Sequence, residues 1–286
     1  MISKEVVART ALVFVPLGLC AGLSWSPLEK AVLICVYQMF MSYCRCVYTG
    51  NYSHVDEIWT LSPILYATVL KREGTRGWLI LLLVSIWGVR LANYLNRRGL
   101  FHGVEDHRWK VVRERFTSSL QWHIFTITFM CLLCNLAELL MMLPVYYSPE
   151  GDLDSWDIVP TFLLVSFLLL EVVADEQQHS FQTKKYHFIN NNMKPEPPYD
   201  TGFRTTGLFR YSRHPNFFGE LGIWWSLCLF TRSVNISYVG AASLTYLLHR
   251  STNLTEKLTA SKYESYKEYQ QTTSRIVPWL PKTRNN

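Results

Sequence analysis

Charge is what this sequence has least of. Asp, Glu, Lys and Arg make up 17% of its 286 residues, against about 25% in an average soluble domain, which argues against a fully solvated fold. No basic stripe appears, so the formal net charge of +6 does not point to nucleic acid. No Gly-x-Gly-x-x-Gly follows a strand-like run and no P-loop occurs, which removes the Rossmann and P-loop nucleotide folds. The eight histidines are scattered without a His-Glu-x-x-His pair, so no metal centre is expected. A Gly-x-Ser-x-Gly nucleophile elbow is missing as well. The seven cysteines form no disulfide framework. Cys20, Cys35, Cys131, Cys134 and Cys228 lie in apolar segments, where a thiol behaves as a small hydrophobe.

What is present is apolar: 49% of the residues are hydrophobic and 14% aromatic. Runs at 6–23, 31–48, 57–70, 78–95, 122–145, 158–173, 217–230 and 234–248 approach the length that spans the roughly 30 Å hydrocarbon core. The expected fold is an all-α polytopic membrane protein, a bundle of seven or eight transmembrane helices. We divide it into N-terminal transmembrane helices over 1–50 and one membrane domain over 51–286. The last two runs are separated by Thr231-Arg232-Ser233, which predicts a tight helical hairpin. An amphipathic helix is expected over 254–269.

Orientation follows from the basic loops. Arg97, Arg98, Arg108, Lys110, Arg113 and Arg115 lie in one connection, and the 184–213 segment and the tail are also basic. Residues 150–157 are acidic, which places that loop on the far side with both termini cytosolic. Lys71, Arg72 and Arg76 contradict this rule. The Asn235-Ile236-Ser237 sequon, also on the far side, fits an endoplasmic reticulum membrane if the cell is eukaryotic.

The densest polar stretch is 207–220, Gly-Leu-Phe-Arg-Tyr-Ser-Arg-His-Pro-Asn-Phe-Phe-Gly-Glu. A glycine turn leads through Arg210, Arg213 and His214 to Pro215, which suits the first turn of a helix. A cationic loop feeding a helix start attracts phosphate. Asn216 and Glu220 lie one turn apart on that helix. Apolar residues follow, so the pattern suits a cofactor with an anionic tail held at a membrane surface.

Four further polar groups accompany it. Ser53-His54-Val55-Asp56-Glu57 opens the third apolar run, where charge often does no more than reach for water. Arg90, Tyr94 and Arg97 share a helix face, and Arg90 lies deep enough to need a partner. Glu105 and Asp106 precede Arg108 and would serve either as acids or as a helix cap. Glu171, Asp175 and Gln177 close the sixth run. Guanidinium forks pair with phosphate and amides read bases, so the cytosolic rim suits a dinucleotide.

The 207–220 segment resembles the signature of the DUF1295 membrane proteins, relatives of the steroid 5-alpha-reductases and of the sterol C14 and delta-24(28) reductases. Matching segments follow in order: 53–59; Trp87-Gly88-Val89-Arg90-Leu91; Glu105-Asp106-His107-Arg108-Trp109; Ala174-Asp175-Glu176-Gln177; and Tyr266 through Trp279. The resemblance implies a cytosolic NADPH pocket built by the C-terminal half. Phe209, Asn216 and Phe217 would contact the cofactor, with Phe217 standing where relatives carry tyrosine. Glu256 is similar in position to an acidic residue on the last cytosolic helix, and Arg213 and His214 would face phosphate or carboxamide. Arg90, Gln177, Arg210, Glu220 and Tyr266 complete the expected cofactor set.

The implied reaction is NADPH-dependent reduction of a polarised carbon–carbon double bond in a steroid, polyprenol or fatty enoyl lipid within the bilayer. Tyr94, Glu105, Asp106 and Tyr211 are the candidate acids. Two other readings stay open. The Arg-His-Pro-x-Phe-x-Gly pattern is similar to that of the S-adenosylmethionine-dependent isoprenylcysteine and phospholipid methyltransferases, although a lone Glu256 stands where those carry a glutamate pair. A non-catalytic lipid-binding scaffold would keep the same fold.

Overall fold

A computed structural model describes residues 4–282, and no strand occurs among them. The helices are α1 (Lys4–Ala21), α2 (Pro27–Thr49), α3 (His54–Leu70), α4 (Thr75–Arg97), α5 (His107–Arg113), α6 (Ser119–Phe125), α7 (Cys134–Tyr147), α8 (Ile158–Asn190), α9 (Pro215–Leu229), α10 (Tyr238–Lys262) and α11 (Tyr266–Thr272). A π-helical segment, Thr126–Leu133, joins α6 to α7 without a break. Four stretches, Pro27–Thr49, Thr75–Arg97, Ser119–Tyr147 and Ser155–Asn190, are long and apolar enough to cross a membrane. Their outward stripes are greasy: Val32, Val36 and Phe40 on α2, Trp78, Leu82, Ile86 and Val89 on α4, Phe162 and Leu169 on α8. Stripes of this size are at home against lipid rather than water. The chain is a membrane-embedded helical protein.

Local sequence explains the helix ends. A capping box between Ser26 and Glu29 opens α2, and Gly50 closes it at φ 70°. Nothing between Asp175 and His187 breaks a helix, so α8 continues well past the apolar run and reaches about 50 Å. The expected hairpin turn at 231–233 is longer than the sequence suggested. Helix α9 ends at Leu229 and α10 begins at Tyr238. Between them Arg232 takes φ 60°, and Asn235 Oδ1 accepts the Ser237 N–H at 2.9 Å. The Asn235–Ser237 sequon is thus folded as the turn that starts α10, with Ser237 buried. The expected 254–269 helix is divided: its first part completes α10, and the break at 263–265 makes α11 separate.

The chain forms two compact units. One comprises the residues up to Pro160 with Leu227–Ser243, and the other comprises Thr161–Ser226 with the residues from Leu244 onward. In the first, α3 packs against α2, α4 and α7 around fully buried Tyr66, Leu70, Ile80 and Trp87. Gly88 permits the α3–α4 crossing, because a Cβ there would come within 2.6 Å of the Thr60 carbonyl oxygen.

Two of the three charges that contradict the orientation rule, Arg72 and Arg76, are compensated within this unit. Arg76 is 2% exposed, and its Nε donates to Asp157 at 2.8 and 3.1 Å. Its remaining nitrogens donate to the Pro149, Glu150 and Asp152 carbonyls and to Asp154. Arg72 meets Glu150 at 2.7 Å, and Arg232 meets Asp154 at 2.6 Å. These arginines bind the acidic loop, so they are not free positive charges of the kind that topology rules count.

Candidate functional site

In the second unit the site is built where the 207–220 segment meets the chain's last turns. Gly207 takes φ 68°, and a side chain there would collide with the Gln177 amide. Gln177 Oε1 accepts the Leu208 N–H at 3.0 Å, so α8 fixes the start of the loop. Further on, the Arg213 and His214 N–H groups donate to Ser274 O at 2.9 Å and Arg275 O at 3.0 Å. Ser212 Oγ donates to Ile276 O at 2.7 Å, and the Trp279 N–H donates to Tyr211 O at 2.9 Å. The tail is therefore pinned along the loop by backbone bonds.

Glu256 on α10 is the hub of the side chains. Arg213 grips it with both branches, Nε to Oε1 at 2.8 Å and Nη2 to Oε2 at 3.2 Å. His214 Nε2 lies 3.0 Å from Oε1, and Gln270 Nε2 donates to Oε2 at 2.8 Å. Arg275 approaches at 3.7 Å and also donates to Asn253 at 2.6 Å. Burial of Glu256, at 3% exposure, would by itself raise its carboxyl pKa. The hydrogen bonds from His214, Arg213 and Gln270 and the Arg213 charge outweigh that and hold it at about 2. Two guanidinium groups thus converge on one carboxylate, leaving the cluster net positive.

The other expected residues fall around this hub. Arg213 directs its Nη1 to the Gln270 and Thr273 carbonyls, so its function here is to clamp loop, α10 and tail together. Phe217 stacks on the His214 ring at 5.4 Å and 20°. Gly219 and Gly222 allow α9 to press against Glu171 and Phe167 of α8. That crossing brings Asn216 Nδ2 to Asp175 Oδ1 at 3.3 Å. Phe209 is 6% exposed, which places its ring in the packed interior rather than on an open face. Tyr266 is buried in an aromatic cluster with Phe203 and Tyr269. Arg210 and Tyr211 are exposed, and Glu220 is half-buried.

In the first unit the Gly99–Trp109 connection folds onto the turn before α3. Glu105 accepts the Tyr52 N–H at 2.7 Å, the Asp106 N–H donates to Ser53 Oγ at 2.8 Å, and Trp109 donates to Asp56 at 3.2 Å. Asp106 caps α5 and is held by Arg108 at 2.9 Å and by Arg98 at 3.6 Å. Burial raises its pKa, but Arg108 overrides this and keeps the carboxyl ionised, at about 2. An ionised cap does not donate protons at neutral pH, so of the two roles considered for Asp106 the cap is the one its surroundings support. Arg90 and Tyr94 are half-buried on α4, with the Arg98 guanidinium 5.7 Å above the Tyr94 ring.

Sequence reasoning missed Arg45, Gln270 and Arg275. Arg45 carried a signal, a charge inside an apolar run. Gln270 and Arg275 carried none, because only the path of the tail makes them neighbours of Glu256.

Comparison with known proteins adds the family. The model of a family described as protein of unknown function (DUF1295) matches residues 42–273. An uncharacterized protein of Schizosaccharomyces pombe is 30% identical over 263 residues, covering 82% of this chain and 74% of the relative. No solved structure matches. The chain belongs to the DUF1295 family.

Proposed function

We propose that this DUF1295 protein is an integral-membrane reductase that binds NADPH on its second unit and saturates a polarised carbon–carbon double bond of a lipid. The observation that carries the reading is the net-positive cluster around Glu256, at the start of apolar α9. The residues present fit an anionic dinucleotide. Arg210 is exposed and Arg275 half-buried, two guanidinium groups for phosphate, and Asn216 offers an amide in the first turn of α9. Arg213 and His214, bound to Glu256, position this rim. When bound, NADPH supplies a hydride to the carbon beta to a carbonyl.

Of the candidate acids, Tyr94, Glu105 and Tyr211 remain open as proton donors, because the Asp106 carboxyl is held ionised as a helix cap. The substrate class is a steroid, polyprenol or enoyl lipid dissolved in the bilayer. We further propose that the shorter helices also cross, giving seven or eight spans, and that the membrane is the endoplasmic reticulum.

The test is thermal unfolding of the detergent-solubilised protein with each cofactor, since a ligand of the native state raises its stability. NADPH is expected to stabilise it and S-adenosylmethionine is not. Arg210→Met and Asn216→Ala are each expected to diminish the NADPH shift, the former while leaving the unliganded transition in place. The opposite cofactor preference would make the protein a methyltransferase, and a folded protein indifferent to both would be a scaffold.

A further inference from the structure

A second hydrogen-bonded array, in the first unit, runs from an exposed hydroxyl to a buried carboxyl. Thr49 ends α2, where the apolar run gives way to Gly50 and Asn51, and it is exposed. Its Oγ1 lies 2.9 Å from His54 Nε2. His54 Nδ1 in turn lies 3.0 Å from Glu57 Oε1. The ring and the carboxyl are 3% and 2% exposed, so the imidazole bridges solvent side and interior. Arg45 holds the other oxygen of Glu57 at 3.2 Å.

Proton accounting gives this array two states with the same heavy atoms. Thr49 Oγ1 donates its hydrogen to Arg45 O at 2.8 Å and accepts the Asn51 N–H at 3.2 Å. In that state His54 Nε2 must be the donor toward Thr49. If the hydroxyl hydrogen turns to Nε2, that nitrogen accepts and the ring keeps its proton on Nδ1, toward Glu57. The charged groups bound to the array are Glu57 of α3, against the ring, and Arg45 of α2, against Glu57; Asp56, Glu105 and Asp106 lie nearby on Trp109, Tyr52 and Ser53.

We propose that Thr49 and His54 form a relay that carries protons from water at the end of α2 to Glu57 inside the first unit. The relay's purpose rests on the reductase reading, because saturating a double bond takes one hydride from the nicotinamide and one proton that originates in water. A hydronium ion gives a proton to Thr49 Oγ1 as the hydroxyl hydrogen passes to Nε2, and the ring passes its Nδ1 proton to the Glu57 carboxylate. The net change is one proton moved from water to carboxylate, with no electron transferred. Thr49 and His54 are positioning and proton-carrying groups, distinct from the group that touches substrate.

The test uses the whole protein in detergent micelles. Nitrogen-15 histidine NMR identifies the His54 ring by its loss in His54→Gln, and the exchange of its Nε2 proton with water is measured. Thr49→Val is expected to slow that exchange about tenfold, the worth of one hydrogen bond. Unchanged or faster exchange overturns the relay. In turnover with a 4-en-3-one steroid and a trans-2-enoyl thioester, His54→Gln is expected to lower kcat about 100-fold. Its NADPH thermal shift should remain and added imidazole should restore part of the rate, whereas wild-type kcat in that variant overturns the relay. Slowed exchange in Thr49→Val with no NADPH oxidation by the wild type on either lipid supports the relay and removes the reductase reading.

Discussion

Glu256→Gln tests whether the hub at the second unit holds its loop and tail together. The substitution keeps shape and removes the charge that Arg213, His214 and Arg275 share. A carboxyl held at about 2, against an ordinary 4.5, would contribute roughly 3 kcal/mol at neutral pH if fully expressed. Arg275 is the more open partner, with 30% of its side chain exposed, and screening there reduces the figure to about 2 kcal/mol. For a protein of this size that corresponds to a Tm lower by about 4–8 °C. The sign with pH follows from the depressed folded pKa. The stabilisation is fully present above 4.5 and is lost as pH falls toward 2. Thermal unfolding in detergent, followed by tryptophan fluorescence, should therefore show a gap between wild type and variant at pH 7 that closes in acid. A variant that melts with the wild type at pH 7, or a gap that stays constant into acid, would refute the hub.

Other substitutions probe the remaining framework. Arg76→Met leaves buried Asp157 with only the more distant Arg232, at 3.5 Å, as its cation and should cost about 3 kcal/mol in urea unfolding, most of it recovered in the double variant with Asp157→Asn. Gly88→Ala forces α3 and α4 apart at Thr60 and should lower stability by about 1–3 kcal/mol, measured by thermal unfolding. Gly207→Ala must hold a positive φ against Gln177 and should cost about 1–3 kcal/mol, with faster proteolytic nicking of the 204–212 loop as a second readout.

Much of the fold was legible because helix formation in lipid is local. Apolar runs of spanning length, the Ser26–Glu29 box and Pro215 at a helix start each carry their meaning within a few residues. The same locality explains the errors. Residues 231–233 looked like a whole turn because the Asn235–Ser237 turn has no apolar signature. Arg72 and Arg76 looked like topology signals because their acidic partners lie in a loop distant in sequence.

The sequence by itself determined an all-helical membrane protein of the DUF1295 family and singled out the stretch from Gly207 to Glu220, since periodicity, composition and motif spacing are properties of the chain alone. It also offered Asp106 as either acid or cap. Tertiary structure favoured the cap, because Arg108 and Arg98 converge on it. Tertiary structure alone decided that Arg213 and His214 close on Glu256, and that Gln270 and Arg275 join them. Side chains separated by more than 40 residues become partners through the crossing of helices and the return of the tail, and no local pattern encodes that return.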